Sequence, residues 1–198
     1  SRGKKVALSK RIEYDSRNEI NQITNQVLIQ NNELKNAGVE TEKRAIIKPA
    51  NKNLLSLSQL RQITAVFVTG KMNKEFKAVE MEATLTQLEY VTLINFWFDK
   101  LFQLHPSRTI GNYEATILAS FPMLLALACY VNKNVIDKEL NVRKKMINER
   151  MNRLVGVNWN PQSETWSQFK GRRDKNNLFY FARDQKTIQQ LVAWLERG

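Results

Sequence analysis

Ile20, Ile23, Val27 and Leu34 recur at spacings of three, four and seven in a stretch otherwise made mostly of Asn, Gln and Glu. That period draws a narrow apolar stripe along one face of a helix. Ser16 with Glu19 reads as a capping box at its start, and Gly38 reads as its stop. A helix with one such stripe must cover it, either with its own domain or with another subunit. Residues 39 to 55 show no period, and the segment RAIIKPAN is extended before Pro49. Ser56 or Ser58 then starts, and Gly70 ends, the segment SLSQLRQITAVFVTG. It is predicted helical despite its β-branched residues. In FKAVEMEATL, Val79, Met81, Ala83 and Leu85 alternate as strand residues do. Helix is favoured there, with one short hairpin near 76–85 as the alternative.

The middle of the chain is the most apolar. Thr86 and Glu89 form a second capping box ahead of LEYVTLINFWFDKLFQLHP, which is apolar nearly all round and stopped by Pro106. Beyond the loop PSRTIGN comes an uncharged run from Ala115 to Val131. Its seventeen residues include Ser120 and Pro122, so it is short for a membrane span and is read as buried helix. Pro122 either kinks it or starts a second helix. The next helix is predicted over NVIDKELNVRKKMINERMNRLVG, burying Ile136, Leu140, Ile147, Met151 and Leu154. That pattern leaves Arg143, Lys144, Arg150 and Arg153 to its other faces. A short capped turn at SETWSQFKG precedes a last amphipathic helix carrying Ile188, Leu191, Val192 and Leu195.

These elements make a mostly α protein: one compact helical domain (14–198) behind a flexible basic arm (1–13). Its core is expected at 57–155, a basic and aromatic region at 140–183, and the terminal helix at 184–197. No internal repeat or linker interrupts it.

Charge changes the picture. Thirty-one Lys and Arg against nineteen Asp and Glu give a net charge of +12. An excess of this size favours a polyanionic partner, nucleic acid before an anionic membrane. The first eleven residues hold Arg2, Lys4, Lys5, Lys10 and Arg11 and no acid. Between Leu140 and Arg183 there are ten basic and three acidic residues, interleaved with Trp159, Trp166, Phe169, Phe179, Tyr180 and Phe181. Single-stranded nucleic acid is held by such mixtures, in which cations follow phosphates and aromatic faces stack bases. The candidate contacts are therefore Lys4, Lys5, Lys10, Arg11, Arg143, Lys144, Arg150, Arg153, Lys170, Arg172, Arg173, Lys175, Tyr180 and Arg183. The competing reading of WSQFKGRRDKNNLFYFAR puts Phe179 and Phe181 inward on an extended segment, with Tyr180 outward beside a solvated basic loop.

Catalytic patterns are missing from the sequence. The lone His105 precedes Pro106 at a helix end, a place for capping or packing. With one His and one Cys, the common zinc patterns cannot be built within this chain. Lys71 after Gly70 lacks the rest of a phosphate-binding loop, and Asp137, Lys138 and Glu139 are adjacent positions that do not converge on a helix. No metal or cofactor is expected, and no enzyme. Zinc-finger, basic-zipper, helix-turn-helix and RNA-recognition signatures are absent too. Cys129 stands alone, which precludes an internal disulfide, and no signal-peptide pattern opens the sequence.

The expectation is thus a non-catalytic protein that binds the phosphate backbone of RNA or single-stranded DNA, not secreted and not membrane-bound. A neutral core with a basic arm and a terminal amphipathic helix has the layout of viral nucleoproteins and helical coat proteins. A homo-oligomer in the cytoplasm or a virion would follow from that analogy. The alternatives are a phage or plasmid replication, partition or ribonucleoprotein accessory subunit, and a helical protein–protein adaptor with incidental charge.

Overall fold

The structure is a computed structural model that describes residues 18–41, 52–72 and 84–198. The arm expected at 1–13, with Lys4, Lys5, Lys10 and Arg11, lies outside the described residues, as do Ser16 and nearly all of the ambiguous segment 76–85. The mostly helical class expected from the sequence is what the described residues adopt.

Helix α1 (residues 18–30) and helix α2 (Asn32–Ala37) replace the single helix predicted there. Asn31 separates them. Its backbone is extended and its side chain accepts a bond from the Leu34 N–H, so it caps α2, while Nδ2 donates to Asn95 Oδ1 at 3.0 Å. Ile20, Ile23, Val27 and Leu34 are all buried, so the stripe is covered within its own domain. Strand β1 (Val39–Glu40) pairs in parallel with β2 (Leu55–Ser56). Ser56 and Gln59 then complete a capping box on helix α3 (Leu57–Thr69), which Gly70 ends at φ 72.

Helix α4 (Gln87–Leu104) begins with the Thr86–Glu89 box and buries Trp97, Phe98 and Leu101 completely. The uncharged run that follows is two pieces. A 3-10 turn at Ile117–Ala119 comes first, and Pro122 then sits in the first turn of helix α5 (Phe121–Asn132), where its fixed φ and missing N–H cost nothing. Pro122 therefore starts a helix instead of kinking one. α5 is the hub of the fold, with α3, α6 (Leu140–Asn152) and α7 (Gln185–Arg197) packed around it. No helix among the described residues is long and apolar enough to cross a membrane.

α6 is shorter than predicted, and its buried face is different. Arg143, Ile147 and Met151 line that face at a spacing of four, with Arg143 at 0% exposure. Its guanidinium donates to the Phe67 carbonyl at 2.8 Å and to Asn132 Oδ1 at 2.7 Å, and lies over the Tyr90 ring. Arg143 is thus a core residue and cannot meet a phosphate at the surface. Buried positions also continue past 57–155 on both sides, through α1 and through Trp159, Trp166 and α7.

Candidate functional site

The stretch of highest charge and aromatic density folds as a 3-10 turn (Glu164–Gln168) followed by the antiparallel hairpin β3 (Gly171–Arg173) and β4 (Phe179–Phe181). Side chains alternate across a strand, and here the alternation sorts the aromatics. Phe179 and Phe181 point inward and join Trp159, Trp166, Phe169 and Trp194 in a cluster of mostly edge-on contacts, with centroids 5.1 to 6.3 Å apart. Trp166 closes this small core by donating Nε1–H to the Asn160 carbonyl at 2.7 Å. These rings hold the hairpin on the body, and of them only Phe181 also borders the cleft beside the hairpin.

Tyr180 is the outward ring between them, but it is not an open platform. It stacks on Tyr113 at 4.7 Å and 6° between planes, with the Arg172 guanidinium 5.1 Å from its centroid. Its hydroxyl donates to Asp174 Oδ2 at 3.2 Å, and the Tyr113 hydroxyl donates to the Phe179 carbonyl. Burial, with Tyr180 and Asp174 nearby, pushes the Tyr113 phenol well above its usual range. Desolvation and the Asp174 charge raise Tyr180 as well. Both phenols therefore stay protonated and locked in place at neutral pH.

Asp174 builds the hairpin turn. Its Oδ1 accepts the Asn176 and Leu178 N–H groups at 2.8 and 3.0 Å, and Asn177 takes the left-handed backbone at φ 65. Desolvation alone would raise its carboxyl, but these two N–H groups and the Tyr180 hydroxyl outweigh it and hold the pKa low. Gly171 permits the pairing itself, since a Cβ there would lie 2.2 Å from the Tyr180 carbonyl oxygen.

Beside the hairpin lies a cleft of about 630 Å³. Lys170, Arg172 and Arg183 line one side, Tyr113 and Tyr180 are part of its wall, and Ser120, Phe121 and Pro122 bring the start of α5 to it. Among the described residues no Asp or Glu belongs to that lining. Ser120 makes no side-chain cap on α5, so the first N–H groups of the helix add partial positive charge there. Asp184 lies 3.5 Å from Lys170, in a pair where both side chains are well exposed, and Arg172 also feels the charge of Asp174. Asp184 is primarily the α7 cap. The Thr187 N–H it accepts at 2.7 Å holds its carboxyl below the usual range. Arg183 is exposed and its guanidinium has no ion pair among the described residues.

The other sequence candidates do not gather at this cleft. Arg173, next to Arg172 but on the opposite side of the strand, donates to the carbonyls of Pro161, Gln162, Ser163 and Asn177 and to Ser167 Oγ, tying the hairpin to the preceding turn. Lys175 is exposed at the turn and lies outside the lining. On α6, Arg150 donates to the Tyr130, Val131 and Lys133 carbonyls at the end of α5, where it satisfies acceptors the helix leaves open. Lys144 rests 5.1 Å from the centre of the Phe96 ring, and Arg153 is exposed at the α6 C-cap. Of the sequence candidates, Lys170, Arg172, Tyr180 and Arg183 line the cleft, while Arg143, Arg150 and Arg173 are hydrogen-bonded within the fold.

Tyr113, Phe121 and Gln59 are cleft residues that the sequence reading missed. Nothing local marks them, since they reach the hairpin from 50 to 120 positions away. His105 caps α4 and meets Thr109 Oγ1 at 2.9 Å. Among the described residues no three His, Cys, Asp or Glu side chains converge as a metal site. Cys129, half-buried on α5, has its thiol pushed up to about 12 by desolvation. No family model, curated protein or solved structure matches this chain.

Proposed function

We propose that this protein binds the phosphate backbone of RNA or single-stranded DNA at the cleft beside β3–β4, acting by binding and not by catalysis. The observation that supports this reading is the convergence of Lys170, Arg172 and Arg183 on one concave surface whose described lining holds no carboxylate. Arg183 has no ion pair among the described residues, and the Lys170–Asp184 pair is well exposed, so an external anion displaces little that the fold relies on. Arg172 is also pre-positioned: contact with the Tyr180 ring and pairing within a strand limit the conformations it would lose on binding.

The test is fluorescence anisotropy with a labelled oligonucleotide across a salt series. Three phosphates neutralised on a single strand give a log–log salt slope of about −2, or roughly a twentyfold loss of affinity between 50 and 200 mM salt. Lys170→Ala, Arg172→Ala and Arg183→Ala combined should abolish most binding and flatten that slope. The melting temperature should stay within about 2 °C, since exposed charges contribute little to folding. Undiminished affinity in the triple variant, or no salt dependence in the wild type, rejects the reading.

A further inference from the structure

We infer that the cleft accepts one unstacked nucleotide of a single strand, with its base on the ring of Phe121 and its phosphates on Arg172 and Arg183. This rests on the nucleic-acid reading of the cleft and assigns what that reading leaves open, namely where a base goes. A backbone-only surface needs neither a concave volume nor an aromatic wall, and this site has both. Its volume of about 630 Å³ falls within the range of pockets that enclose small organic ligands.

The aromatic wall narrows the choice. Tyr113 and Tyr180 lie 4.7 Å apart and nearly parallel, too close for a base to enter between them, and the Tyr180 ring also carries Arg172. Phe181 borders the cleft but belongs to the buried ring cluster. Phe121 differs from all three. It is half-buried, lines the cleft, and has no ring–ring or cation contact among the described residues. It is also the first residue of α5, the hub helix, with the rigid Pro122 behind it, so its backbone is fixed. A ring on a fixed backbone that lines the same cleft as two guanidinium groups has the parts that single-strand sites use, a π face for the base and cations for the flanking phosphates. In a duplex the base faces are hidden in the stack, so this site favours single strands.

The experiment compares oligo(dT) of ten nucleotides, an abasic phosphodiester of the same length and charge, and the oligo(dT)·oligo(dA) duplex. Wild type should bind oligo(dT) more tightly than either. Phe121→Leu keeps an apolar side chain in contact with the core but removes the ring. It should lose about tenfold on oligo(dT) and nothing on the abasic strand, while Phe121→Trp retains binding. Circular dichroism melts of both variants separate loss of stacking from loss of fold. Equal wild-type affinity for the three probes overturns the inference, as does wild-type oligo(dT) binding by folded Phe121→Leu. If the Lys170/Arg172/Arg183 triple variant still loses binding in that case, the backbone reading survives and only the base pocket falls. If the triple variant binds normally, both fall.

Discussion

Helix α6 and the β3–β4 hairpin look alike in charge and end in opposite roles. Each carries a cluster of cations, at 143–153 and at 170–183. On α6, Arg143 is fully buried and Arg150 is spent on the carbonyls that end α5. On the hairpin, Lys170, Arg172 and Arg183 face a cleft. The same contrast is repeated between two neighbours, since Arg172 opens to the cleft and Arg173 is consumed by five acceptors on its other side. The lesson is that basic density does not measure binding capacity. A guanidinium surrounded by unpaired carbonyls serves the fold, and one that lies over a ring beside a cleft keeps hydrogen-bonding capacity unused.

The sharpest way to break this contrast is at Arg143. Arg143→Ala should cost about 3 kcal/mol in denaturant unfolding, from the cavity and from the Phe67 carbonyl and Asn132 Oδ1 left without their donor. Arg143→Met, which keeps most of the volume, should recover at least half of that, as apolar replacements of buried charges often do. Nucleic-acid affinity of the folded variants should not change. A loss of affinity without loss of stability would return Arg143 to the interface.

Arg173→Ala comes next, with a loss of about 2 kcal/mol because several charged hydrogen bonds go together. Arg173→Lys should recover little, since a single ammonium cannot reproduce the fork that spans Ser163, Ser167 and Asn177. A lower oligonucleotide affinity in Arg173→Lys at unchanged stability would show that the two hairpin arginines are not divided as described. Arg150→Ala should cost about 1 kcal/mol, the scale of a helix C-terminal interaction, and thermal melts would register it.

The smallest effect sharpens the hairpin side of the comparison. Asp184 and Asp174 have folded pKa values below the ordinary 3.8. The unfolded chain therefore binds more protons than the folded one in that window. Their contribution to stability is present above the ordinary carboxylate pKa and is lost as pH falls through their lower folded values. Melts between pH 6 and pH 3 should show that loss, and Asp174→Asn with Asp184→Asn should flatten it. An equally steep acid loss in the double variant would place its origin elsewhere in the molecule.

Local sequence determined the helices wherever the signal was chemical and short-ranged. The Thr86–Glu89 box, the Ser56 start, the Gly70 stop and the Asp184 cap each act within one turn, so each can be read from a few adjacent residues. The i, i+4 step from Ile147 back to Arg143 was equally visible. A charge at that position argued against burial, and the partners that make it tolerable, the Phe67 carbonyl, Asn132 Oδ1 and the Tyr90 ring, come from other helices. The inward Phe179 and Phe181 and outward Tyr180 follow from strand alternation, but the partner of Tyr180 does not, because Tyr113 arrives on a distant loop. Composition likewise set the chain's excess of positive charge, while folding divided it between structure and surface. That division depends on where open carbonyls, rings and solvent lie once distant segments pack. Nearest-neighbour chemistry carries no record of that arrangement, so only the tertiary structure could place the cleft.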